Sequence, residues 1–211
     1  SFAVERTQTL MYIIWKLKQA NAIPKMALIM DSPMGANVLQ VFNDNRQWHK
    51  LTPEEYTGMC ESFRIVTSYR ETWEIINDQK PKIVIAGSGM ISGGRVLTYL
   101  QQYIGKLETT VLLAGFQAAG TRGRKLLEGA DYLKIYGKEY PVEAEILNLE
   151  VLSAHADQSE MLDWMSELKK APEHLFIVHG ETEAAAAFSN KIKEKYGWNS
   201  VVPELYSIVE V

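Results

Sequence analysis

Twice between residues 82 and 128 the chain passes from a short apolar run through a glycine-rich turn into a helical pattern. No other feature restricts its fold as much. KIVIA at 82–86 reads as a strand and is followed by GSGMISGGRVLTYLQQYI; TTVLLA at 109–114 leads through Gly115 to a short helix near 122–128. Strand, turn and helix in succession specify an α/β arrangement with a mostly parallel sheet. Upstream, Leu10, Tyr12, Ile13, Ile14 and Leu17 recur near helical spacing, which predicts a buried helix over 6–20. KMALIM then reads as a strand halted by Asp31-Ser32-Pro33, with a helix after Gly35. Residues 53–79 read as mixed helix and loop, with Thr67 or Ser68 capping a helix that carries Tyr69, Trp73, Ile75 and Ile76 and buries Trp73.

From about residue 129 the rhythm changes. YLKIYG and AEILNLEVLSA read as strands joined by a charged turn around Lys138 to Pro141. A helix is expected at 158–170, the strand HLFIVHG at 174–180, a helix at 183–196 and an edge strand in VVPELYSIVEV. The Pro141 break marks the crossover between two subregions.

Composition excludes several classes. The 211 residues are 46% apolar and 23% charged, which suits a globular chain, and no window carries the roughly eighteen apolar residues of a membrane span. SFAVERTQTL lacks the features of a secretory signal. Cys60, the single cysteine, can form neither an internal disulfide nor a sulfur-rich metal site, so a reducing cytoplasmic setting is expected. With 22 basic and 26 acidic residues the formal charge is -4, unlike a protein held on nucleic acid mainly by phosphate neutralisation. Phe2-Ala3-Val4 is apolar from the second residue, which fits either a short N-terminal strand or, somewhat better, a chain cut from a longer protein.

Two of the four histidines stand just beyond apolar strands: His155 in SAHAD and His179 in VHGE. Ligand groups converge at such a sheet edge, and an imidazole there can bind a metal or move a proton. Each also has a plain structural reading, with Asp157 capping the helix that follows His155 and His179-Gly180 forming a tight turn. His49 and His174 read as structural or exposed. GSGMISGGR has neither the P-loop nor the dinucleotide spacing, so ATP and nicotinamide enzymes are disfavoured. Together with GFQAAGTRGRK at 115–125 it can instead cradle a phosphodiester backbone, with Arg95, Thr121, Arg122, Arg124 and Lys125 in reach and Ser32 of DSPMG as a further donor, while plain turns in a compact sheet explain the pair of loops almost as well. Phe116, Tyr69, Trp73 and Trp48 are the stacking candidates, Phe116 foremost because it lies in the second turn.

FAVERTQ, DSPMGANV, AGSGMISGGR, GFQAAGTRGR, SAHAD and VHGE follow in order along nearly the whole chain. The set resembles the metallo-beta-lactamase enzymes with a beta-CASP insert, in the RNA-processing branch related to the cleavage-and-polyadenylation endonuclease. The resemblance implies a Rossmann-like beta-CASP insert at 1–145, then the C-terminal portion of the αββα lactamase domain at 146–211. It implies a zinc-dependent ribonuclease with two zinc ions activating water and single-stranded RNA in the cleft, which the loops around Ser88, Gly89 and Met90 and from Gly115 to Thr121 would face. His155 and Asp157 would be catalytic residues, with His155 the proton donor or transition-state partner and Asp157 in local orientation or capping. His179 would be a metal ligand, and a homodimer is a further expectation. The early H-x-H-x-D-H ligand cluster and the acidic partner of His155 are not in this sequence. The 211 residues alone are therefore expected to be inactive and to hold zinc poorly without the N-terminal lactamase segment. An RNA-binding or assembly module without nuclease activity is the alternative, and a small-molecule hydrolase of the wider superfamily a more distant one.

Overall fold

The computed structural model describes residues 1–149, 152–153 and 155–209. It divides into two compact units, Ser1–Ser153 and Ala154–Val211.

The first unit opens with helix α1 (Arg6–Gln19), which buries Leu10, Met11 and Trp15. Strand β1 (Ala27–Asp31) is buried from Leu28 onward, as a central parallel strand requires because both its faces are covered. Helix α2 (Pro33–Asp44) starts where Ser32 accepts the Gly35 N–H and Pro33 presets the first helical φ. Helices α3 (Pro53–Glu61) and α4 (Tyr69–Asn77) each begin with a reciprocal capping box, Thr52 with Glu55 and Ser68 with Glu71. Between them lies a strand that periodicity does not reveal, β2 (Arg64–Val66). Strand β3 (Lys82–Ala86) completes a parallel sheet in the order β2-β1-β3. β1 therefore has a crossover connection on each side, and loops diverge from the carboxyl ends of β1 and β3. That is where open α/β sheets gather ligands.

Helix α5 (Arg95–Tyr103) follows the first glycine loop, strand β4 (Thr110–Leu113) precedes the second, and helix α6 (Arg122–Leu127) follows it. Strands β5 (Tyr132–Ile135) and β6 (Lys138–Pro141) form an antiparallel hairpin. The turn expected at Lys138–Pro141 lies instead at Tyr136-Gly137, whose φ values of 48° and 82° suit a two-residue hairpin turn. Strand β7 (Glu145–Asn148) pairs in parallel with β4, in register from Thr110 opposite Glu145. The fold is thus mixed α/β with mostly parallel strands, as the sequence indicates.

Three apolar clusters fill this unit: one between α1, α3 and the β1–β3 face, one behind α4 and Tyr99, and one under α5, α6 and the β5–β6 hairpin. Trp73 does not join them; helical phase turns Ile75 and Ile76 inward and leaves Trp73 exposed.

The second unit contains helices α7 (Gln158–Ser166) and α8 (Thr182–Tyr196), shorter at the first than the expected 158–170. Leu162, Met165 and Ile192 form its core, with Phe188, Tyr196 and Trp198 packed on it. The strand expected at 174–180 is reduced to a parallel bridge between Phe176 and Val201. The expected continuation of β7 through Glu150, Val151 and Ala154 falls outside the described residues. No helix among the described residues is long and apolar enough to cross a membrane.

Candidate functional site

The carboxyl ends of β1 and β3 are held by a buried charge network. Asp31 is fully buried and accepts hydrogen bonds from Thr72 Oγ1 and Tyr99 Oη, both at 2.7 Å, and from Arg95 Nη1 at 3.3 Å. Arg95 also donates to the carbonyls of Ser68 (3.0 Å) and Thr67 (2.8 Å) and to Thr72 Oγ1, and its guanidinium lies 3.9 Å from the Tyr69 ring centre. Burial, then the bond to Asp31, pushes the Tyr99 phenol well above its ordinary pKa. Arg95 therefore faces inward, in contrast to its expected place at the RNA surface. A buried carboxylate needs a cationic partner, and Asp31 draws Arg95 in. Its work here is to seat the start of α5 beneath the glycine loop. Ser32 is likewise turned inward, with its Oγ capping α2.

The two glycine loops interlock. Gly94, at φ 73°, lets the first loop fold back so that Val96 N–H reaches the Gly87 carbonyl at 2.8 Å; a Cβ at Gly94 would stand 2.9 Å from that oxygen. Gln117 donates to Gly89 O (3.0 Å) and Gly115 O (2.9 Å), and Gly123 N–H donates to Met90 O (3.2 Å). Arg122 reaches three carbonyls, those of Lys134 at 2.6 Å and of Ile91 and Ser92 at 3.4 Å. Thr121 caps α6, accepting from Arg124 N–H and donating to Ala118 O. Arg124 pairs with Glu128 at 2.7 Å on the outer face of α6.

Among the expected site residues, the loops thus bring together Ser88, Gly89, Met90, Thr121 and Arg122, with Phe116 beside them projecting into solvent at 62% exposure. Gly89 is roofed by the Phe2 ring. Trp48 and Tyr69 are exposed, and Tyr69 backs onto Arg95. Gln117 lies within GFQAAGTRGR but carries no charge and no chemistry that singles it out, so its inward role escapes a reading of the sequence; the glycine six residues later is one trace of it.

His155, Asp157 and His179 lie in the second unit. His155 is exposed in the turn before α7. Asp157 caps that helix, its Oδ1 accepting Glu160 N–H at 2.8 Å while Glu160 Oε2 accepts Asp157 N–H at 2.9 Å. This is the capping job its position suggested. His179 is exposed in the turn before α8 and holds a left-handed backbone, φ 66°. A non-glycine residue there carries some strain, a feature that concentrates at functional turns. No group of three histidine, cysteine, aspartate or glutamate side chains among the described residues could hold a metal ion.

Residues 7–126 match the family described as "Beta-Casp domain", and residues 139–203 match "Zn-dependent metallo-hydrolase RNA specificity domain". The chain is 30% identical over 198 residues to ribonuclease TTHA0252 of Thermus thermophilus, which covers 89% of this chain and 43% of that protein. It is 31% identical over 150 residues to transcription termination factor FttA of Pyrococcus horikoshii, covering 69% and 23%. An RNase J-like protein of Methanocaldococcus jannaschii is 29% identical over 137 residues, covering 65% and 32%. The chain spans less than half the length of these relatives. Because the first of these matches takes in more than half of its residues, the chain belongs to the Beta-Casp domain family.

Proposed function

We propose that this chain is the RNA-holding and site-completing part of a zinc-dependent ribonuclease that hydrolyses phosphodiester bonds in RNA processing or decay. The observation that carries the reading is the RNA-specificity match over 139–203, which spans both exposed histidines, directly after a beta-CASP match. In this reading the interlocked loops of the first unit bind the single strand: Ser88, Gly89, Met90 and Thr121 meet phosphates, Arg122 supplies charge and Phe116 stacks on a base. Arg95 acts from beneath by anchoring the start of α5 where the first loop ends, Ser32 by capping α2, and Arg124 lies on the outer face of α6 beside its partner Glu128. His155 assists as proton donor to the leaving oxygen or holds a nonbridging oxygen, Asp157 fixes the turn that carries it, and His179 is a metal ligand.

The side chains of the described residues do not make a zinc site by themselves. Asp157 is engaged in its cap, and one imidazole from His179 falls short of the three or four ligands zinc takes. The remaining donors come from an N-terminal lactamase segment, which together with RNA and a second copy of the chain is the expected partner. The single cysteine suits a cytoplasmic setting.

The test uses the 211-residue chain with labelled single-stranded RNA, with and without added zinc or manganese. Binding without turnover is expected. Robust metal-dependent cleavage that disappears in His179→Asn, a residue that tolerates the left-handed backbone, would overturn the division of labour. Absence of RNA binding would remove the loops from the reading. In the longer protein, His155→Ala should lower turnover far more than zinc content, and an equal loss of both would contradict its role.

A further inference from the structure

The two loops assigned to RNA follow strands that belong to different hydrogen-bonded sheets, so sheet pairing alone does not fix their separation. Gln117 does. It is 2% exposed, and both hydrogens of its carboxamide are used, one on each loop: Gly89 O at 3.0 Å and Gly115 O at 2.9 Å. Two acceptors require the nitrogen on that side, which assigns the amide orientation chemically. The oxygen is then driven the opposite way, where it is buried without a hydrogen-bond partner among the described residues. It lies 1.6 Å from where a Cβ on residue 123 would stand, so the glycine at 123 makes room for it. Gly123 in turn donates its N–H to Met90 O, a second tie between the same loops. Because Gln117 points inward, its neighbour Phe116 points out.

We propose that Gln117 is a positioning residue for RNA. Its carboxamide clasps the Ser88–Met90 loop to the Phe116–Thr121 loop and sets their spacing, without itself touching the strand. This deepens the RNA-binding reading and rests on it for its consequence. The clasp itself is a property of the folded chain. Burying that amide oxygen costs stability, which the bond across to Gly89 O and the bond within its own turn to Gly115 O must offset. Gly123→Ala should act mainly through the same contact, displacing the carboxamide, and most of its effect should disappear in a Gln117→Ala background, where only Met90 O, 3.3 Å from the added Cβ, still crowds it.

Three arms decide the matter in the full 211-residue chain. In Gln117→Met, which keeps the length and removes both donors, amide hydrogen exchange at Ile91 and Gly123 should accelerate at least about tenfold while the β1 and β3 amides keep their protection. RNA affinity, read by fluorescence anisotropy with a single-stranded oligonucleotide, should fall about five- to tenfold. Tyr103→Phe, which removes a 2.7 Å bond to Ile76 O away from the loops, should lower the melting temperature and leave RNA affinity unchanged. Unchanged loop exchange in Gln117→Met overturns the clasp. Accelerated exchange with wild-type affinity overturns its role in RNA binding, and Phe116→Ala then reports on the parent reading: weaker binding keeps the loops as the RNA surface. If the unmutated chain fails to bind RNA, both the parent reading and the positioning role fall, while the exchange arm still decides the clasp.

Discussion

Asp31 is the residue on which the first unit most depends. Its carboxylate receives an arginine, a phenol and a hydroxyl, with no access to water. Asp31→Asn removes the charge but leaves the Arg95 guanidinium buried, so unfolding in urea should show a loss of about 3–5 kcal/mol. A loss under about 1 kcal/mol would mean that Arg95 finds other partners. This pair also shows where a sequence goes silent. Asp31 and Arg95 lie 64 positions apart, and each has a local reading, Asp31 as a turn residue and Arg95 as a surface cation, that only tertiary packing overrides. Gln117 and Phe116 teach the same point in one step: alternation sends the polar residue in and the aromatic out. Burial pushes the Cys60 thiol up. Iodoacetamide should therefore label it slowly in the native chain at neutral pH and rapidly in urea; fast native labelling would contradict that protection.

Among the elements, helix starts were the most legible, because a cap is written within four residues. Ser68 and Asp157 both occupy the capping places their sequences suggest. Strands fared unevenly. β1, β3 and β4 announce themselves as apolar runs, whereas the three residues of β2 become a strand only by pairing with β1, and HLFIVHG finds only Val201 to bridge. The capping-box glutamates have an acid signature. Bonds from the Thr52 backbone, then from Lys16, hold the Glu55 carboxyl below its usual range, and the Ser68 hydroxyl, then its backbone N–H, does the same for Glu71. A lowered folded-state pKa stabilises above the unfolded value and loses that contribution as pH falls through the folded one. Melting temperature should thus decline on acidification below the ordinary glutamate pKa of about 4.3, and Glu55→Gln with Glu71→Gln should flatten that decline. An unaltered acid limb would assign the loss to other carboxylates. In the second unit, Asp157→Ala should cost about 1 kcal/mol through loss of the α7 cap.

At the scale of the whole molecule, the two units differ in how much apolar surface they seal. Among the described residues the first contains three clusters and the second a single small one, with Trp164, Leu205, Tyr206 and Ile208 left in water. Hydrogen exchange followed by mass spectrometry should show slow amides in β1 and β3 and faster ones throughout 158–209; equal protection would indicate a single cooperative block. Arg122 adds a consequence for the field around the molecule. Three carbonyls hold its guanidinium and, among the described residues, no carboxylate answers it. Dipoles fix a cation in place without cancelling it. A strand arriving there sheds counterions in proportion to such uncancelled charges, so on a chain that is net acidic a log–log plot of affinity against salt should still slope downward. Arg122→Gln should make that slope shallower by about 0.7, the share of one phosphate contact on a single strand, whatever it does to the absolute affinity.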